Sequence, residues 1–201
     1  MATLPAPSSA PSTARARPTP VSPRIDDPMA LLLACHDKVR RFTELALRLQ
    51  AHVTAHGHDA QAREAATSIL RYFELAAPLH HADEDEDLFP ALLALDEALV
   101  GADVRANIQT LSDEHAALGT LWQALAPWLR DVAAGRADGT ADAAPPVAAF
   151  AARYQAHADA EEREVYPHAA KLPPEALARI AQAMVARRTP PSASPDALQT
   201  A

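Results

Sequence analysis

The chain has 201 residues, with 18 prolines, only 5 glycines, one cysteine and a formal net charge of −8 at pH 7. So acidic a surface repels nucleic acid and no basic stripe interrupts it; no apolar run reaches transmembrane length, and the lone Cys35 rules out an internal disulfide. Apolar residues make up 49% but aromatics only 4%, so the apolar content is mainly Ala, Leu and Val, which points to an all-α protein rather than a β-rich one.

Residues 1–26 are rich in Pro, Ala and Ser, with Pro5, Pro7, Pro11, Pro18, Pro20 and Pro23 breaking any helix. A disordered tail is predicted there, and not a signal peptide, because no continuous apolar stretch follows its arginines. Residues 189–201, TPPSASPDALQTA, read as a second disordered tail. Between them, 27–188, lie about 160 residues, one domain with room for a real core.

The first predicted helix runs from Pro28 to Ala55, with Leu32, His36, Val39, Thr43, Ala46 and Leu49 on one stripe. Gly57 is its stop, and Asp59 is the N-cap of the next. The second runs from Ala60 to near Leu88; its inner stripe is Ala66, Ile69, Phe73, Ala76, His80 and Glu84, Pro78 is expected to kink it, and Pro90 follows its last turn. The third, Asp103 to Ala134, carries the cleanest stripe: Ile108, Leu111, His115, Leu118, Trp122, Leu125, Leu129 and Val132. After the loop GRADGTADAAPP, Pro145 and Pro146 open a fourth helix with Phe150, Tyr154, His157 and Glu161 inward. A short fifth, Pro174 to Arg188, turns Leu177, Ile180, Ala181 and Met184 to one side. Four long helices with short connections predict an up-down four-helix bundle with a short fifth C-terminal helix.

The ends of the second and fourth helices read HHADEDEDLFP and HADAEEREVYP. Aligned, they set His80 on His157, Glu84 on Glu161, Asp85 on Glu162, Phe89 on Tyr166 and Pro90 on Pro167. Each half has an earlier inward histidine: His36 precedes His80 by 44 positions, and His115 precedes His157 by 42. Residues i and i+4 on a helix differ by about 40° in angle and about 6 Å in rise, so each His-x-x-x-Glu pair reaches one point. Pointed into a core without partners, these groups cost several kcal/mol, and a metal ion is one such partner. His36, His80, Glu84, His115, His157 and Glu161 together offer four imidazoles and two carboxylates able to bridge. That is the nitrogen and oxygen set of di-iron and di-manganese sites in helical bundles, without the thiolates of a structural zinc site. Taken singly, an inward histidine is usually a satisfied core residue, and the acidic run Asp83–Asp87 would be a solvated face. The coincidence of four inward histidines, two i+4 glutamates and matching halves favours the metal.

These motifs, with HDKVRRF at His36 and DEHAAL at His115, resemble the hemerythrin-like family of HHE cation-binding domains over about 27–188. The resemblance implies a four-helix bundle around two non-haem iron ions, oxo- or hydroxo-bridged, and a peripheral C-terminal helix. It assigns the ligand roles to His36, His80, Glu84, His115, His157 and Glu161, with the two glutamates as bridges. Manganese or zinc suits the same ligands. Oxygen-carrying members place a second histidine four residues after the one on the third helix, where this chain has Gly119. They also space the last carboxylate five after its histidine, at Glu162 rather than Glu161. With one imidazole fewer, the chain departs from reversible oxygen transport in its usual form. Gly119 either leaves room for water or an exogenous ligand, or allows close helix packing.

Other residues carry two readings each. His81 lies about 100° from His80 and is expected at a helix boundary or in solvent, with a shift into the site as the alternative. His168 lies eleven after His157, nearly on its face, but follows Pro167 at a helix end, with metal contact as the alternative; His52, His56 and His58 cluster near a loop and are expected in solvent, with metal uptake at the surface as the alternative. Cys35 reads as packing, its single thiol compatible with a cytoplasmic location. Trp122 and Trp128 read as core and boundary, and Tyr154 as core or as a hydrogen-bond donor near the metal. The expected function is binding or sensing of oxygen, nitric oxide or iron, with a small diatomic molecule or peroxide as ligand and a protein partner to read the signal. The alternatives are a di-iron enzyme acting on peroxide, nitric oxide or damaged iron centres, and a structural bundle. No nucleic acid or membrane is expected as partner, and no nucleophile, phosphate loop or cofactor fingerprint supports other enzyme classes.

Overall fold

The computed structural model describes residues 26–136 and 145–189. The tails expected at 1–26 and 189–201 lie outside them except for Asp26 and Thr189, as does the middle of the loop before Pro145. Every regular element among the described residues is helical, and no strand occurs among them: α1 (Pro28–His56), α2 (Ala60–Arg71), α3 (Ala77–Asp83), α4 (Phe89–Leu93), α5 (Glu97–Val100), α6 (Ala102–Ala133), α7 (Val147–Glu164) and α8 (Pro174–Arg188). None of them is long and apolar enough to cross a membrane.

The ends follow local chemistry. Asp27 caps α1 by accepting from the Met29 and Ala30 amides at 2.9 and 3.1 Å, and Pro28 sits in the first turn, where its missing N–H is not needed. Gly57 closes α1 with φ 74°, a conformation open to glycine, and Asp59 caps α2 through the Ala62 amide at 2.8 Å.

The second arm departs from the single helix, kinked at Pro78, that is expected of it. Two π turns, Tyr72–Ala76 and Glu84–Leu88, join α2, α3 and α4. The Ala77 amide bonds the Tyr72 carbonyl, and the Phe89 amide bonds the Glu84 carbonyl. Each wide turn inserts a residue, so Pro78 and Pro90 fall at the start of the helical stretch that follows. The arm therefore passes the expected end near Leu88 and continues to Leu93. The short α5 and a 3-10 segment, Tyr166–Lys171, are further elements that periodicity did not predict.

The long helices pack in a closed ring: α1 lies against α2 and α7, and α6 against the same two. Their inner stripes, joined by α4, α8 and the turns beside them, build two apolar clusters. One gathers Val39, Ile69, Phe73, Leu118, Leu125 and Phe150; the other gathers Leu32, Leu88, Leu92, Ile108, Val165 and Met184. Between the two lies a polar layer. On α1 it is His36, between Leu32 and Val39; on α6 it is His115, between Leu111 and Leu118.

The helix α8 packs on α1, α3 and the Glu84–Leu88 turn. The acidic run there is not simply a solvated face. Asp83 is fully buried and accepts from Arg187 Nη1 at 2.5 Å and Arg188 Nη1 at 3.0 Å, while Arg187 also reaches Glu86 and Asp87 at 2.7 and 2.9 Å. Breaking such a pair costs most when the stranded charge stays buried. The double change Arg187→Ala, Arg188→Ala, which strands Asp83, is expected to lose about 3–5 kcal/mol of stability. Asp83→Ala is expected to lose less, because the arginines can turn to water. Urea unfolding of the two variants checks the order.

Candidate metal centre

The polar layer gathers all six residues that the sequence singles out. His36, His80, Glu84 and Glu161 each place one nitrogen or oxygen within 4.8 Å of all the others, and His81, His115 and His157 form a second such group. The two carboxylates span the groups. Glu161 Oε2 lies 3.0 Å from His36 Nε2, and its Oε1 lies 3.1 Å from His157 Nε2 and 3.7 Å from His115 Nε2. Glu84 Oε2 lies 3.6 Å from both His80 Nε2 and His115 Nε2.

These groups approach one another without satisfying one another. Glu84 Oε2, both Glu161 oxygens, His115 Nε2 and His157 Nε2 are buried with no aligned hydrogen bond among the described residues. Each buried orphan costs about 1–3 kcal/mol, more when charged. Lone pairs aimed at common points are what a cation requires, so the residues present fit one. Nitrogen and oxygen donors without sulfur suit iron, manganese or zinc.

A shell of carboxylates orients the rings. His36 Nδ1 bonds Glu162 at 2.8 Å, His115 Nδ1 bonds Asp85 at 2.7 Å, and His157 Nδ1 bonds Glu114 at 3.1 Å. Each carboxylate is itself held: Glu162 by Arg40 at 2.9 Å, Asp85 by Ser112 at 2.8 Å and Glu114 by Arg153 at 2.6 Å. A proton fixed on Nδ1 leaves Nε2 as the lone-pair end, turned inward. The fourth ring breaks the pattern. The position matching Glu114 in the first half is Cys35, and His80 Nδ1 has no hydrogen-bond partner among the described residues.

Burial and charge act in opposite senses on the two central glutamates. Desolvation, reinforced by the charge of Glu161, pushes the Glu84 carboxyl well above its usual range. Burial also penalises Glu161, but the surrounding His115, His157 and His36 outweigh it and hold that carboxyl well below its usual range. Desolvation lowers His80 to about 3, so it is a neutral imidazole. For His157 the burial penalty is overcome by Glu161 and Glu114, which raise it.

Glu162, the alternative last carboxylate, stands outside the layer as the partner of His36. His81 does not sit in solvent; its ring lies against His115. His168 stays apart, next to Lys171 Nζ at 3.0 Å. His52 pairs with Asp59 at 3.0 Å near the α1–α2 turn. Tyr154 is buried among Phe73 and Phe150. Among the described residues, and apart from its own helix backbone and chain neighbours, no atom lies within 4 Å of the Cβ position at Gly119, which removes the close-packing explanation of that glycine. Sequence reasoning missed Tyr166, whose hydroxyl donates to Glu84 and lies 3.1 Å from His36 Nε2. Its signal was a tyrosine where the other half has Phe89. The outer acids Asp85 and Glu162 also had a signal, an acid directly after the glutamate in both halves.

A helical core that focuses imidazoles and carboxylates on shared points defines a cation-binding domain. The chain belongs to the hemerythrin HHE cation-binding domain family, which matches residues 27–169. It is also 35% identical over 107 residues to an uncharacterized protein of Haemophilus influenzae, a match covering 53% of this chain and 59% of the relative.

Because Glu162 acts through His36, Glu162→Ala is expected to weaken cation affinity about 10- to 100-fold without abolishing binding. Calorimetric titration of chelator-treated protein measures it. The same titrated cation, at about 100 times its Kd, is expected to add about 2.7 kcal/mol to the unfolding free energy.

Proposed function

We propose that this chain is a non-haem di-iron protein that binds or senses oxygen, nitric oxide or iron itself, with His36, His80, Glu84, His115, His157 and Glu161 holding two iron ions inside an up-down four-helix bundle. The observation that carries the reading is the buried layer of orphaned nitrogen and oxygen atoms, arranged in two groups that share two carboxylates. Membership of a cation-binding family supports it, and so does the absence of the thiol of Cys35 from the donor set.

Bound there, iron supplies reversible electron transfer and an affinity for small diatomic molecules or peroxide. The protein's part is positional. Glu162, Asp85 and Glu114 fix the rings of His36, His115 and His157, so that three imidazoles need not reorient when the ions change state. Tyr166 fixes Glu84 by donating to one oxygen, leaving Oε2 turned inward. The two apolar clusters close the layer above and below and keep bulk water from it. A partner protein that reads the signal and a cytoplasmic location belong to the same proposal, and the acidic net charge supports the exclusion of nucleic acid.

Elemental analysis of aerobically purified protein, with an absorption spectrum of the same sample, tests the reading. It is expected to give about two irons per chain and near-ultraviolet bands of a bridged ferric pair. The double change Glu84→Ala, Glu161→Ala is expected to lose both. Unchanged metal content in that variant would contradict the ligand assignment. Rapid turnover of peroxide or nitric oxide would move the protein to the enzyme reading.

A further inference from the structure

Gly119 leaves the position one turn beyond His115 on α6 without a side chain, in open space. The second group of donors nevertheless holds three imidazoles, because His81 has turned in from α3. Its ring stacks on His115 with 4.1 Å between centroids and 12° between planes, and stands across His157 at 6.2 Å and 71°. Consecutive histidines on one turn thus diverge to different ends of the layer. His80 joins His36 and the glutamates, while His81 joins His115 and His157. The ring is half-buried and also stacks toward Tyr154, and stacking alone does not account for a ring nitrogen turned toward those of two other imidazoles. The convergence of its nitrogen with those of His115 and His157, within 4.8 Å, supplies a reason.

We propose that His81 is a ligand of the second metal site, making up from α3 the imidazole that Gly119 leaves off α6. The inference rests on the two-ion reading above. Each ion then has its own protein donors: His36 and His80 for one, His81, His115 and His157 for the other, with Glu84 and Glu161 shared between them. The glutamates already lie within 3.7 Å of nitrogens from both groups, so no rearrangement of helices is needed.

Anaerobic ferrous titration of the chelator-treated full chain, followed by calorimetry and by elemental analysis of the desalted protein, tests it on wild type and His81→Ala. Wild type is expected to take up two ions. His81→Ala is expected to keep one at wild-type affinity and to bind the other at least about tenfold more weakly, and millimolar free imidazole is expected to restore the second. If His81→Ala takes up both ions at wild-type affinity, the proposal is overturned while the two-ion reading stands. A loss of affinity that imidazole does not repair would assign His81 to packing and also overturn it. If wild type itself takes up fewer than two ions, the two-ion reading falls and this inference falls with it.

Discussion

The i to i+4 geometry that lets a histidine and a glutamate share one point also places both on the stripe a helix must bury. His80 with Glu84 and His157 with Glu161 therefore enter the core at the same level, and His36 and His115 meet them from the other two helices. The hydrophobic effect drives the stripes together, and in doing so it forces imidazoles and carboxylates into a space with no water to satisfy them. Burial of Leu32, Val39, Leu88, Leu118, Phe150 and Val165 on either side holds that layer in place. The centre is thus a cost that packing imposes and that a cation relieves, so folding and metal binding act on the same free energy.

The two halves of the chain treat this layer almost alike. Glu162 on α7 steadies His36 on α1, and Asp85 beyond α3 steadies His115 on α6. Tyr166 stacks on His36 as Phe89 stacks on His115. The differences fall at the ends of the layer. Tyr166 adds a hydroxyl to one, Cys35 holds the sequence position that corresponds to Glu114, and His81 enters only the other. Two ions held there would have unequal surroundings: one beside a phenol and an unsupported imidazole, the other in a cluster of three rings. The clamp of Arg187 and Arg188 on Asp83 bears on the turn that carries His80, His81 and Glu84, so α8 braces the second arm where both ends of the layer draw donors from it.

Much of this was legible in the sequence. The scarcity of glycine and aromatics announced an all-helical chain, and the stripes through Leu32 and His36 and through Leu111 and His115 located the inner faces of α1 and α6. The repeated His-x-x-x-Glu pairs located the layer itself. What a straight helical wheel cannot show is where the wheel changes register. The π turns at Tyr72–Ala76 and Glu84–Leu88 are set by which carbonyls the amides of Ala77 and Phe89 find. That is why the arm continues past Pro90. The outer carboxylates escaped for a related reason. Glu114 and Asp85 lie about 100° from their neighbouring inward residues, which reads as solvent-facing until the helix across the groove is in place. Asp83 lay hidden in an acidic run because its arginines are more than a hundred residues away.

X-ray absorption at the iron edge of the reconstituted, full-length chain examines the shared layer most directly. A centre built on Glu84 and Glu161 is expected to show nitrogen and oxygen nearest neighbours, the outer scattering of imidazole rings, and a second iron within about 4 Å. Iron atoms with no iron neighbour, or with sulfur among their nearest scatterers, would contradict a two-ion centre shared by these glutamates.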